Sequence, residues 1–210
     1  MKKFKTFACT MVMAIIMVVS ASAVDFVDVD SDAWYYGAVT TLTERGIVSG
    51  TGEGQFSPER SATAAEFATM LARSNGSIDA FSITATWDEA TMAYAVEEGW
   101  IDNQMEGNHT LSREEAAAIL MNSIGAAPND EKDCDTPFLD NNLISVEYRS
   151  LVACAVEMNI ISATSANRTF RPQENILTCG RSAVRTRHCP PYIAAPKGAV
   201  FSFIWYFFEQ

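Results

Sequence analysis

The chain repeats a helix–loop–helix unit three times, and this internal repetition constrains the fold more than its composition does. In each unit an apolar helical stripe ends at a glycine or asparagine that is followed by apolar residues. These helix-ending positions are Gly46, Gly99 and Asn159, so successive units are 53 and 60 residues apart. Spacing of this size is typical of small helical repeats, and it predicts a mainly α fold.

The first helix of the first unit is predicted from one apolar face. Trp34, Ala38 and Leu42 recur at helical spacing, and Ser31 or Asp32 is a suitable N-cap just before them. Gly46 supplies the left-handed residue that commonly ends a helix.

The second helix of each unit is predicted from its start. Thr63 and Glu66 form a capping box, and Ser112 and Glu115 repeat it in the second unit. In the third unit, Phe170-Arg171-Pro172 corresponds to Phe56-Ser57-Pro58 of the first unit, and Thr178 is the expected cap of its second helix.

The first 23 residues have the pattern of a secretory signal peptide. Three lysines precede an apolar run over residues 7–19, and Ala21-Ser22-Ala23 follows as a cleavage site. The run is too short to span a bilayer comfortably as a permanent anchor, so we expect a secreted protein with no membrane-spanning segment in the mature chain.

Charge and composition exclude several functions. The formal net charge is −11, and residues 24–147 hold 5 basic and 23 acidic residues, whereas residues 148–210 hold 7 basic and 3 acidic ones. Nucleic acid is not an expected partner, because a phosphate backbone recruits clusters of Lys and Arg. The chain has only two histidines, His109 and His188, and no zinc-type cysteine spacing. We therefore expect neither a metal nor a cofactor.

The ordered motifs of the first unit resemble the S-layer homology domain. They are Phe-x-Asp-Val from Phe26, then Trp34, Gly46-Ile47, Gly-x-Phe-x-Pro from Gly54, and Thr-x-x-Glu-Phe from Thr63. The resemblance implies a three-pronged helical spindle. Its repeats would span 24–76, 77–127 and 128–189, with an apolar tail at 190–210.

The resemblance also implies a function at the cell wall. Such domains attach non-covalently, in grooves between repeats, to an anionic and often pyruvylated secondary cell-wall polymer or to a peptidoglycan-linked glycan. The expected location is therefore the cell surface, in the S-layer or cell wall. We also expect that the protein is not an enzyme.

The family's signature arginine holds the anionic sugar substituent beside a helix N-terminus, where the helix dipole favours an anion. This position is Ala64 in the first unit, Arg113 after Ser112 in the second, and Cys179 in the third, where Arg181 replaces the capping glutamate. Arg113 and the neighbouring Ser112 are the resulting candidate ligands, with a solvated first-turn residue as the alternative for Arg113. We expect Arg113→Ala to weaken binding more than Arg73→Ala.

Other candidate glycan contacts have ordinary structural alternatives. Trp34 and Trp100 could stack on sugar rings, although helical spacing favours a core role for Trp34. The loop glycines Gly50 and Gly54 are further candidates. Arg181 and Arg185 share one helical face, which is either solvated or a displaced polymer contact.

Four cysteines lie in or beside the third unit, at Cys134, Cys154, Cys179 and Cys189. Four cysteines in an exported segment allow three pairings. We expect at least one disulfide that joins the segment of Cys134 or Cys154 to that of Cys179 or Cys189. The last two bracket one helix and should not pair with each other.

The favoured function is a non-catalytic module that anchors to cell-wall glycopolymer. One alternative is a surface assembly or protein-interaction module that has lost glycan binding, because two signature arginines are missing. An exported hydrolase is the other, but no nucleophile–base or metal motif supports it. The apolar run at residues 198–208 is too short to cross a bilayer as a helix, and its sequence selects no role.

Overall fold

The computed structural model describes residues 26–77, 86–126, 136–161 and 168–178. These ranges contain five α-helices: α1 Tyr36–Glu44, α2 Ala64–Ser74, α3 Trp87–Glu97, α4 Arg113–Ser123 and α5 Val146–Glu157. A short 3-10 helix, Asn141–Leu143, precedes α5. The predicted mainly α fold is confirmed. No helix within the described ranges is both long enough and apolar enough to cross a membrane.

Several predictions fall outside the described residues. These are the signal peptide, the pair Arg181 and Arg185, the apolar tail, and three of the four clustered cysteines, Cys134, Cys179 and Cys189. Cys154 lies half-buried on α5. The disulfide therefore stays a prediction.

The predicted helix ends are confirmed. Gly46, Gly99 and Asn159 have φ angles of 69°, 72° and 54°, so each adopts the left-handed conformation that ends a helix. Both capping boxes are formed, by Thr63 with Glu66 before α2 and by Ser112 with Glu115 before α4.

The predicted start of the first helix is wrong. The helix begins at Tyr36, and its N-cap residue Tyr35 makes no side-chain cap hydrogen bond. The Asp30 carboxylate instead accepts a hydrogen bond from the Asp32 amide, and the Ala33 amide donates to the Asp30 carbonyl. Short aspartate side chains favour such local turns over helix, so the turn extends past the expected caps at Ser31 and Asp32.

The core is centred on α2 and α4. α2 packs against α3 and α4, and α4 packs against α5. The apolar side chains predicted for these two helices are buried, among them Phe67, Leu71, Ile119 and Leu120. Phe170 and Ile176 of the third unit belong to the same cluster. One core is therefore shared by all three units.

A closed ring of backbone hydrogen bonds joins the three units at the segments that precede their second helices. The Ala62 amide donates to the Ile176 carbonyl at 3.0 Å, and the Ile176 amide to the Leu111 carbonyl at 2.9 Å. The Leu111 amide closes the ring by donating to the Ala62 carbonyl at 3.1 Å. These three residues are therefore equivalent positions around a common axis.

The ring corrects the predicted register of the third unit. Two residues after each ring position, the amides of Ala64, Arg113 and Thr178 make equivalent hydrogen bonds, at 2.8 to 2.9 Å, to a carbonyl of the next unit. Thr178, rather than Cys179, thus occupies the signature-arginine position, and Leu177 occupies the N-cap position. The sequence does contain this register, since Ala62 and Ile176 each lie six residues after a matching phenylalanine.

The aspartate of the Phe-x-Asp motif joins the start of a unit to the loop of the same unit through hydrogen bonds. The two carboxylate oxygens of Asp28 accept hydrogen bonds from the amides of Phe56 and Ser57, at 2.8 and 2.7 Å. Asp140 accepts equivalent bonds from Phe170 and Arg171 at the same distances. A carboxylate with two charge-assisted bonds from backbone amides fixes a loop strongly.

This arrangement predicts a pH dependence for stability. Burial raises the pKa of Asp28, but the amides of Phe56 and Ser57 outweigh it and hold the pKa below its ordinary value. The stabilisation is therefore complete above the unfolded pKa and is lost as pH falls through the folded one.

We expect Asp28→Asn to remove part of the loss of stability between about pH 5 and pH 2. Thermal melting across this range measures the effect. Asp32→Asn, which removes an exposed carboxylate from the same segment, is the control. An unchanged pH profile for Asp28→Asn would contradict the assignment.

Candidate functional site

A groove of about 580 Å³, here called groove one, lies between the first-unit loop, α2 and the start of α3. Ligand sites in proteins commonly have volumes of this size. All three units contribute to it, and the residues that matter below are Gly50, Arg60, Glu66, Arg73, Trp87 and Thr178.

Groove one carries a net positive charge. Among the described residues that line it, Arg60 and Arg73 are the cations and Glu66 is the acid. Glu66 pairs with the Arg60 guanidinium, and its second oxygen accepts the Thr63 amide in the capping box. The charge of Arg60 is therefore compensated, and the net positive charge corresponds to Arg73.

Arg73 is held at the groove wall by the residues that follow the helix-ending glycine. Its Nη1 atom lies 3.4 Å from the Ile47 carbonyl oxygen and 3.5 Å from Ser49 Oγ. No carboxylate within the described part of the chain forms an ion pair with it. A half-buried guanidinium with neutral neighbours is well suited to bind an external anion.

Trp87 supplies an apolar surface in the same groove. Its residue surface is 58% exposed, although tryptophan is usually well buried. Trp87 and Trp34 occupy equivalent positions, because each lies the same number of residues before the helix-ending glycine of its unit.

The other two tryptophans that were considered as sugar contacts lie elsewhere. Trp34 is half-buried against the ring of Tyr35 and lines neither described groove. Trp100 is only 4% exposed and packs edge-on against Tyr94, so it belongs to the core.

A second groove of about 570 Å³, groove two, lies at the corresponding place in the second unit. Among the described residues, three carboxylates line it, from Asp102, Glu106 and Glu115, together with His109 and Tyr148. Burial and then the nearby carboxylates, first among them Glu147 and Glu115, raise the pKa of Tyr148 to about 12. Groove two is therefore acidic.

Arg113 lies in the interior rather than in either groove. It is only 2% exposed, its Nε atom donates to the Phe170 carbonyl at 2.7 Å, and its guanidinium lies over the Phe170 ring. Burial, with a smaller contribution from the nearby Arg171, lowers its pKa to about 10. The structure thus gives Arg113 a role between units, and neighbouring Ser112 acts as a helix cap.

The two candidate glycines, Gly50 and Gly54, differ in their relation to groove one. Gly50 lines groove one with a φ of 71°, and a Cβ atom there would lie 2.5 Å from the Gln55 carbonyl oxygen. Gly54 lines neither described groove, and its carbonyl accepts the Val27 amide at 2.9 Å. Close packing of the backbone therefore explains Gly50 without a ligand.

A family comparison addresses the first unit directly. Residues 25–68 match the model of the S-layer homology domain. This segment is therefore similar to an S-layer homology domain. The match covers the motif from Phe26 to Glu66, including Gly50 and Arg60 of groove one.

The chain is also similar in sequence to parts of several curated proteins. An S-layer protein of Bacillus thuringiensis subsp. finitimus is 37% identical over 68 residues, which is 32% of this chain and 8% of that protein. An amylopullulanase of Thermoanaerobacterium thermosulfurigenes is 28% identical over 167 residues, 73% of this chain and 9% of the enzyme. An endoglucanase of Bacillus sp. (strain KSM-635) is 25% identical over 167 residues, 74% of this chain and 18% of the enzyme.

The chain therefore spans a small part of the length of these relatives, under a fifth in each case. The domain match and the surface-layer relatives support the expected location at the cell surface.

Proposed function

We propose that this protein is a non-catalytic module, built as a three-repeat spindle, that attaches to an anionic cell-wall glycopolymer through groove one. The observation that carries the proposal is the combination of Arg73, which forms no ion pair with a carboxylate of the described groove residues, with the exposed ring of Trp87. Pyruvylated polymer is the expected ligand class, as the resemblance implies.

The chemistry of groove one suits a charged sugar. A guanidinium binds a carboxylate through paired, charge-assisted hydrogen bonds, and an indole ring stacks on the apolar face of a pyranose. Thr178 and Gly50 also line the groove. The signature arginine is absent here, since Ala64 occupies its position, so Arg73 provides the cation from the end of the same helix.

We expect Arg73→Gln to weaken polymer binding by about 10- to 100-fold, the loss of a charge-assisted hydrogen bond worth roughly 1.5–3 kcal/mol. Sedimentation of the mature protein with purified wall sacculi measures the affinity. Arg45→Gln is the matched control, because Arg45 is an exposed arginine of the same unit that lines neither described groove. Equal losses in both variants would indicate general electrostatic attraction and contradict a site.

The same sedimentation assay distinguishes polymer anchoring from the alternative function in protein assembly. Sacculi stripped of their anionic polymer should no longer sediment the protein if groove one binds that polymer. Sedimentation that persists without the polymer, or that is absent with it, would contradict anchoring and favour a module for protein assembly. Binding is expected to weaken with salt, because groove one is partly exposed.

A further inference from the structure

Grooves one and two occupy corresponding places in their units. Four residues that line groove two, Asp102, Gln104, His109 and Glu115, are counterparts of residues that line groove one, whereas Asn122, the counterpart of Arg73, is not among the described lining residues. Two residues before the ring, Arg60 in groove one corresponds to His109 in groove two. Each contacts the capping glutamate of its unit: Arg60 pairs with Glu66, and His109 Nε2 lies 2.9 Å from Glu115 Oε1. The carboxylate is therefore kept in both grooves, while the permanent cation beside it is lost in groove two.

The second cation is also replaced. Nine residues after the first helical position, Arg73 of α2 corresponds to Asn122 of α4. Asn122 Nδ2 donates to the Trp100 carbonyl at 3.2 Å, which is the counterpart of the Arg73 contact with Ile47. The asparagine keeps the structural contact with the loop but supplies no charge.

Groove two also carries acidic side chains of its own. Ser49 lines groove one three residues after its helix-ending glycine, and the corresponding residue of groove two is Asp102. Glu106 adds a further carboxylate. An anionic sugar that entered groove two would meet like charges, and none of the described residues that line the groove is a permanent cation.

We infer that the two grooves discriminate between ligands by charge: groove one binds the anionic sugar substituent, and groove two excludes it. The determinants are the paired positions 60/109 and 73/122, with Asp102 and Glu106 as repulsive elements. Like-charge contact of this kind is an effective way to reject a wrong ligand. This inference rests on the proposed function, because it requires that groove one bind an anion.

The test is nuclear magnetic resonance titration of the mature protein with a methyl hexopyranoside that bears a pyruvate ketal. The same sugar without the ketal is the control. We expect saturable, ketal-dependent shifts at the amides of Gly50, Thr51 and Thr178. At Gln104 and Thr110 in groove two, binding should be at least about tenfold weaker.

Two further variants complete the test. Arg73→Gln should weaken binding in groove one by at least about tenfold and create no shifts in groove two. The double variant His109→Arg/Asn122→Arg, which installs both cations, should bring ketal-dependent shifts to Gln104 and Thr110. Saturable shifts in groove two of the unaltered protein, or none in a folded double variant that still binds in groove one, would overturn the inference. No ketal-dependent shift in either groove would instead overturn the proposed function.

Discussion

Replacement of Arg113 by alanine should lower the free energy of unfolding by about 3 kcal/mol. Two losses add up at this position: the Phe170 carbonyl loses a charged donor within the core, and the Phe170 ring loses the guanidinium that covers it. The cavity left by a large side chain that was 2% exposed adds to both. The effect should appear as a lower midpoint of urea unfolding.

The control is Arg73→Ala, which removes an arginine from the end of α2 together with its long hydrogen bonds to Ile47 and Ser49, and should lower stability by only about 1 kcal/mol. Polymer binding should respond in the opposite order, with Arg73→Ala impaired and folded Arg113→Ala close to normal. This order reverses the expectation drawn from the family signature. Arg113→Ala with full stability and lost binding would restore the signature interpretation.

Gly50→Ala should destabilise the protein by about 3 kcal/mol, through sterics rather than loss of a ligand contact. The new methyl group would lie 2.5 Å from the Gln55 carbonyl oxygen and 2.6 Å from the Phe26 ring, in a residue whose φ is 71°. Backbone on one side and a buried ring on the other leave little room for relaxation.

Gly54→Ala is the control that separates steric overlap at Gly50 from the strain of a positive φ angle. Its φ is 74°, but no atom lies within 4 Å of the added Cβ, so only the conformational strain of about 1 kcal/mol is expected. Urea unfolding of both variants gives the comparison. Equal losses at the two glycines would show that the close approach at Gly50 is relieved at low cost.

The helix ends and caps were predictable because they depend on local chemistry. A left-handed residue at Gly46 and a capping box at Thr63 are determined by a few neighbouring residues, and the structure has both. The start of α1 differs from the prediction because Asp30 forms a local turn with Asp32 and Ala33. Competition between a turn and a cap is decided by small energies that the pattern alone does not rank.

The site was less accessible to sequence reasoning because its charges lie far apart in the chain. A basic residue in the last turn of a helix, such as Arg73, ordinarily complements the helix dipole and gives no indication of a groove. Arg113 was predicted to bind an anion because it lies at a helix start, where a cation is unfavourable. Its side chain instead points inward and donates to the Phe170 carbonyl. The partner is 57 residues away, and only the fold brings the two together.

The ring formed by Ala62, Leu111 and Ile176 has a consequence for how the chain reaches its native state during export. In an export directed by the predicted signal peptide, the first unit would leave the membrane before the other two. Its ring amide, however, is bonded in the native structure to a residue 114 positions later. Closing a loop of that length costs chain entropy before any contact repays it. The three units should therefore acquire their native contacts together, and a protease outside the cell would find partly translocated chains far easier to cut than finished ones.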